Sequence, residues 1–159
     1  MLRPRGDSIT EITSYSFFVY FLFILIGILI DFIGFSVEVF TSELALYVGL
    51  GVMALSTLVL IWAAHTGHRY RKHAHHYDEL EHHHLRKGVY RFTRNPHYLG
   101  LGSLFVGFAL ATNSLAIMVL ATLSFFVVNA WFIPNEEKVL ASRHKKHYDQ
   151  YKEKTRRWL

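Results

Sequence analysis

The chain is 159 residues long, 52% hydrophobic and 16% aromatic, with a formal net charge of +5 and no cysteine. That length is enough for one domain. The missing thiols exclude disulfides, a cysteine nucleophile and thiolate-ligated zinc.

Arg3 and Arg5 precede a first apolar run over residues 15–35, in which Asp31 is the single charge. At ~1.5 Å per residue such a run crosses a hydrocarbon core of about 30 Å. It is too long for a signal-peptide core, and no A-x-A-like site follows it, so it reads as a first membrane helix. Residues 44–64 carry no charge and read as a second. A third uncharged segment, residues 98–133, is too long for one crossing and is broken at its middle by Thr112-Asn113-Ser114. It is expected to be a helical hairpin with arms of about 95–112 and 115–133. Pro134 then separates it from a polar, amphipathic helix starting near Asn135. The fold expected is all-α: an integral membrane domain over residues 1–159, with about four transmembrane helices and a C-terminal cytoplasmic helix. Two helices fill residues 1–64, a His-rich connector with a motif strip fills 65–94, the hairpin fills 95–133, and the tail helix fills 134–159.

The basic residues fix an expected topology. Of 17 lysines and arginines, two lie before the first helix, seven between residues 65 and 97, and eight after residue 133. With four crossings all of them fall on one face, which the positive-inside rule makes cytoplasmic, together with both termini. The basic balance therefore serves topology and contact with anionic lipid rather than nucleic acid. The membrane expected is a prokaryotic plasma membrane or the endoplasmic reticulum.

The connector holds eight of the eleven histidines, including HAHH at 73–76 and HHH at 82–84. Imidazole is a common metal ligand, and His68 and His73 have an H-x4-H spacing loosely similar to membrane di-iron oxygenases. Those enzymes need further histidine boxes, and HKKH at 144–147 is the one other cluster. No metal ligands are assigned, and the segment reads as a polar, pH-sensitive connector at the interface. The paired glycines at 49–51 and 100–102 lack a βαβ context and do not indicate a dinucleotide fold. Gly107 and Ala111 read as helix-packing contacts.

The strip GVYRFTRNPHYLG, residues 88–100, carries the chemistry. Asn95 suits a helix N-cap and Pro96 the first helical position. A helix start offers unpaired N–H donors, Arg91 and Arg94 add guanidinium forks, and His97 and Tyr98 follow within one turn. Gly100 and Gly102 allow a close approach. This is an anion-binding helix start at a membrane interface; the alternative is a set of snorkelling arginines with Tyr98 in the aromatic belt. In the tail, Glu137, Leu140, His144, Tyr148 and Tyr151 share one helical face. Folded back, that face would bring Glu137 near Arg91, Arg94 and His97; the alternative is a basic helix lying on anionic lipid.

HHHLRKGVYRFTRNPHYLG, then an apolar hairpin, then EEKVL and HYDQYKEKTRRWL, closely resembles the isoprenylcysteine carboxyl methyltransferase family and its phospholipid methyltransferase relatives. The resemblance covers residues 82–159. It implies an integral membrane enzyme using S-adenosylmethionine. It further implies that Gly88, Tyr90, Arg94, Pro96, Tyr98 and Gly100 shape the cofactor pocket, that Glu136 and Glu137 complete it, and that Tyr148 and Tyr151 pack the tail onto the core. Asn95 stands where histidine is commoner, and His144-Lys145 where Phe-Gly is usual.

The residues suit methyl transfer, an in-line displacement that depends on positioning and exclusion of water. Glu137, with Glu136 as alternate, can hold the cofactor's ammonium or ribose hydroxyls. The helix start Asn95, Pro96, His97 and Tyr98 can hold its carboxylate. Tyr90 and Tyr98 can face the sulfonium, Arg91 or Arg94 can pair with an anionic acceptor, and His97 is the available base. The expected function is methyl transfer to a lipophilic acceptor, an isoprenylcysteine-type carboxylate or related small lipid. That acceptor would come from the bilayer while the cofactor comes from the cytoplasm. The rival readings are a His-rich membrane metalloprotein or oxygenase, and a non-enzymatic membrane scaffold.

Overall fold

A backbone in hydrocarbon must satisfy its own N–H and C=O groups, and a single short chain does so by winding into helices. The computed structural model describes residues 7–35, 37–41, 43–73, 87–143 and 145–159. Among these residues there are α-helices α1 (Asp7–Ile30), α2 (Leu44–His73), α3 (Pro96–Thr112), α4 (Leu115–Val127), α5 (Ile133–Arg143) and α6 (Lys145–Lys154). Two π-helical turns, Asp31–Phe35 and Val128–Phe132, and a 3-10 turn, Gly88–Arg91, join them. The all-α expectation holds.

Three segments are long and apolar enough to cross a membrane: Glu11–Gly34, Leu44–Gly67 and Leu115–Ser142. The remaining candidate, α3, has 17 residues, at the lower limit of about 17 for a spanning helix. Large apolar side chains such as Phe18, Phe21, Leu55, Leu58, Phe126 and Trp131 stand exposed on these segments. In water such a surface would be an aggregation hazard; in a bilayer it is the lipid-facing side.

The hairpin falls where the sequence breaks. Asn113 takes a left-handed conformation (φ 54°) and ends α3, while Ser114 caps α4 by accepting from the Ile117 N–H. The expected break at Pro134 is not there. The helix continues through the π turn Val128–Phe132 into α5, and Pro134 is the second residue of α5. A proline lacks an N–H and crowds the carbonyl four residues back, and the wider π turn just before it makes room.

The turn between α3 and α4 is also stitched to the loop between α1 and α2. Asn113 Oδ1 accepts from the backbone N–H groups of Val39 (3.2 Å) and Phe40 (2.8 Å), and its Nδ2 donates to the Phe40 carbonyl (2.7 Å). Ser114 Oγ donates to Asp31 Oδ1 at 2.8 Å, and the Leu115 N–H donates to the Val37 carbonyl at 3.0 Å. Asp31, the one charge in the first apolar run, is thus held at its end.

The buried core is formed by Tyr20 and Ile24 of α1, Tyr98, Leu101, Phe105 and Ala109 of α3, Ile117 and Ala121 of α4, and Val128 and Ile133 beyond it. Among the described residues, helices α2 and α3 share the most extensive packing. Lipid tails supply no hydrophobic force between helices, so close backbone approach has to. At the seam a Cβ on Gly49 would stand 2.5 Å from the Ala111 nitrogen and 2.6 Å from the Gly107 carbonyl oxygen, whereas one on Gly51 would meet nothing within 4 Å. Gly49→Ala is therefore expected to lower the thermal unfolding midpoint in detergent, with an overpacking cost of about 1–3 kcal/mol. Gly51→Ala, one residue pair along the same helix, should leave it unchanged or raise it.

Candidate functional site

The strip that enters α3 begins at Gly88, whose φ of +55° suits glycine. Its missing side chain matters twice, because a Cβ there would lie 2.6 Å from Thr66 Oγ1 at the end of α2. After the 3-10 turn the chain runs through Thr93, Arg94 and Asn95, with Thr93 and Asn95 buried. Pro96 opens α3 as expected. Asn95 occupies the N-cap position without capping through its side chain: φ −123°, ψ 54°, no side-chain cap bond. Its own N–H donates to Thr93 Oγ1 at 3.2 Å, and its Nδ2 is buried with no hydrogen-bond partner.

The tail returns to this strip. Tyr148 and Tyr151 of α6 are buried, and the Tyr151 hydroxyl donates to the Tyr90 carbonyl at 2.8 Å. Beyond α6 the backbone docks directly. The Arg94 N–H donates to the Arg156 carbonyl at 3.0 Å, and Thr93 Oγ1 donates to the Arg157 carbonyl at 2.7 Å. Trp158 packs its ring against Phe125 of α4, with centroids 5.1 Å apart.

These contacts close around a buried carboxylate. Glu137 receives Arg157 Nε on Oε1 at 3.2 Å and Arg157 Nη2 on Oε2 at 2.8 Å, while Arg94 Nη2 stands 3.3 Å from Oε1. The Arg94 and Glu137 side chains are each 9% exposed, and that of Arg157 is 33% exposed. The hydrogen bond to Glu137 holds the Arg157 guanidinium more firmly protonated than usual. The Arg94 Nε and Nη1 atoms are buried and unpartnered, as is Thr155 Oγ1. Two guanidinium groups and one carboxylate leave the cluster with a net positive charge.

A second polar contact lies beside the first. The Tyr98 hydroxyl donates to Glu136 Oε2 at 2.5 Å, and the hydroxyls of Thr13 and Ser16 on α1 lie against the same phenol. Asn129 Oδ1, in the π turn that precedes α5, and the Tyr20 hydroxyl are buried without partners.

The structure thus brings Arg94, Asn95, Tyr98, Glu136 and Glu137 together, with Tyr90 tied to the tail through its carbonyl. The other residues singled out from the sequence lie around them. His97 has its ring 6.4 Å from that of Tyr90. Arg91 is exposed and holds its guanidinium over Phe92, 5.3 Å from the ring centre. Gly100 packs on α2, where a Cβ would lie 2.8 Å from Leu60 Cγ; the group it admits is Leu60. Arg157, Thr93, Thr155 and Asn129 were not anticipated. The signal for Arg157 was a basic pair followed by tryptophan at the chain end, which only the return of the tail turns into a partner for Glu137.

Among the described residues no three His, Asp or Glu side chains come together to hold a metal. Residues 74–86, with His75, His76 and the HHH run, lie outside the described residues, as does His144.

The family model for phospholipid methyltransferase matches residues 44–147, which is most of the chain. The chain belongs to the phospholipid methyltransferase family. No curated protein and no solved structure matches it. As a member of that family it is an integral membrane methyltransferase. The match takes in the motif strip, Glu136 and Glu137, whereas α1, Tyr148, Tyr151 and Arg157 fall outside it.

Two outcomes are expected for this phospholipid methyltransferase family member. Tyr98→Phe removes the phenol that satisfies half-buried Glu136, and should cost about 1 kcal/mol in detergent unfolding. Burial, and then the Glu137 carboxylate, push the Tyr148 hydroxyl from 10.0 up to about 12. The folded chain therefore holds that proton more tightly than the unfolded one. The resulting stability is full below pH 10.0 and is lost as pH rises toward 12. Tyr148→Phe should flatten the alkaline limb of the unfolding midpoint plotted against pH.

Proposed function

We propose that this chain transfers a methyl group from S-adenosylmethionine to a lipophilic acceptor whose polar end sits at the membrane interface. The observation that carries the reading is the pair of buried, unpartnered Arg94 nitrogens, Nε and Nη1, beside the unpartnered Asn95 Nδ2. Buried polar groups without partners are costly, and a guanidinium fork is suited to a carboxylate. The donor set therefore fits the carboxylate of S-adenosylmethionine, which would also neutralise the net positive cluster. Oxygens of Glu136 and Asn129 are acceptors suited to its ammonium or hydroxyl groups. Members of the family generally use this cofactor, and when bound it supplies an electrophilic methyl group on a sulfonium.

The remaining roles follow from the chemistry of the side chains. Glu137 holds Arg94 and Arg157 in place, a role distinct from the direct cofactor contact that the family resemblance implies. His97, beside Tyr90 at the start of α3, is the base for an acceptor that must lose a proton. Arg91, exposed at the same end, is the cation for an anionic headgroup, as an isoprenylcysteine-type carboxylate or related small lipid would require. The acceptor reaches the site from the bilayer, past helices whose apolar side chains already face lipid, and the cofactor comes from the cytoplasm, on the side of both termini. This division keeps water from the reacting centre.

Calorimetric binding of S-adenosylhomocysteine to the detergent-purified protein tests the reading. The wild type should bind, and Arg94→Ala should weaken binding by at least about thirtyfold, since truncating a buried hydrogen-bonded charge costs about 2–5 kcal/mol. Methyl transfer from radiolabelled S-adenosylmethionine to membrane lipid extract should fall with it. Undiminished binding or transfer in Arg94→Ala would overturn the assignment.

A further inference from the structure

Glu137 has two cations within reach and divides itself unequally between them. Arg157 takes both carboxylate oxygens, at 3.2 and 2.8 Å, whereas Arg94 offers a single nitrogen at 3.3 Å. The consequence lies on Arg94: two of its three nitrogens, Nε and Nη1, remain buried and uncommitted. Arg157 is held for this task by its own backbone. Its carbonyl accepts from Thr93 Oγ1, the preceding carbonyl accepts from the Arg94 N–H, and the following Trp158 is seated on Phe125.

We infer that Arg157 is a positioning residue for the anion site, one that occupies the Glu137 carboxylate and so keeps the Arg94 fork open for the cofactor's carboxylate. The inference rests on the function proposed above and adds a residue beyond the family-matched segment. The physical logic is competition. A buried carboxylate needs partners, and with Arg157 removed the other guanidinium beside Glu137 among the described residues is that of Arg94. Glu137 then takes Arg94 as a two-pronged pair, and the incoming carboxylate meets a neutralised guanidinium. On this account Arg157 touches no ligand; it acts through Glu137.

The competition has a signature that loss of a structural strap does not share. Arg157→Ala should weaken S-adenosylhomocysteine binding by about tenfold or more, the scale of one charge-assisted contact. Adding Glu137→Gln to Arg157→Ala removes the competing charge, and should regain at least about threefold in affinity over Arg157→Ala. Arg157→Lys, which keeps the charge and gives up the two-pronged geometry, should show a smaller loss, relieved by the same second substitution. It is the variant to use if Arg157→Ala does not fold. All are measured by calorimetry on the full chain in detergent, alongside thermal midpoints. Wild-type affinity in Arg157→Ala, or a double variant no better than the single one, overturns the inference while leaving the proposed function standing. Failure of the wild type to bind S-adenosylhomocysteine removes both.

Discussion

One buried carboxylate organises the end of this protein where chemistry is expected. Glu137 lies buried on the helix that continues from α4, and a buried charge needs compensation by paired, hydrogen-bonded partners. One partner comes from the strip that opens α3 and the other from the last residues of the chain. A pair between two adjacent elements would fix only those two. This cluster fixes three, so the strip, α5 and the chain terminus share one geometry. The hydrogen bonds from Thr93 and from the Arg94 backbone to residues 156 and 157 are the neutral reinforcement of the same junction.

The rest of the fold supports that junction by close packing in an environment without a hydrophobic drive between helices. Where α2 meets α3, Gly49 and Gly107 let the backbones touch, and Leu60 fills the notch at Gly100. Helix α3 is short, yet it carries Pro96 and Tyr98 at the site and Phe105 and Ala109 in the core. The continuous helix from α4 through the π turn into α5 sets Glu136 and Glu137 at a fixed height above the core. A flexible break at Pro134 would have left both carboxylates free to wander.

Much of this was legible in the sequence because membrane constraints are strong and local. Uncharged length gave the helices, Thr112-Asn113-Ser114 gave the hairpin turn, and the strip with its two glutamates gave the family. The departures share a different cause. The side chain of Asn95 does not cap, and its ψ of 54° departs from the extended backbone from which a capping side chain reaches the first turn. Pro134 does not end the helix, because a π turn absorbs the strain. Arg157 was not found, because its partner lies twenty positions away in sequence and is met only through the fold-back of the tail. Periodicity reports which face a residue occupies; it is silent on which distant charge that face will meet.

The stitched turn at the opposite end of the bundle has a mechanical meaning. Asn113 and Ser114 bind the loop between α1 and α2 through both side chains and backbone, so the two helical pairs are riveted together there. The hairpin tip cannot shift without breaking those bonds, so it and the loop between α1 and α2 move as one piece.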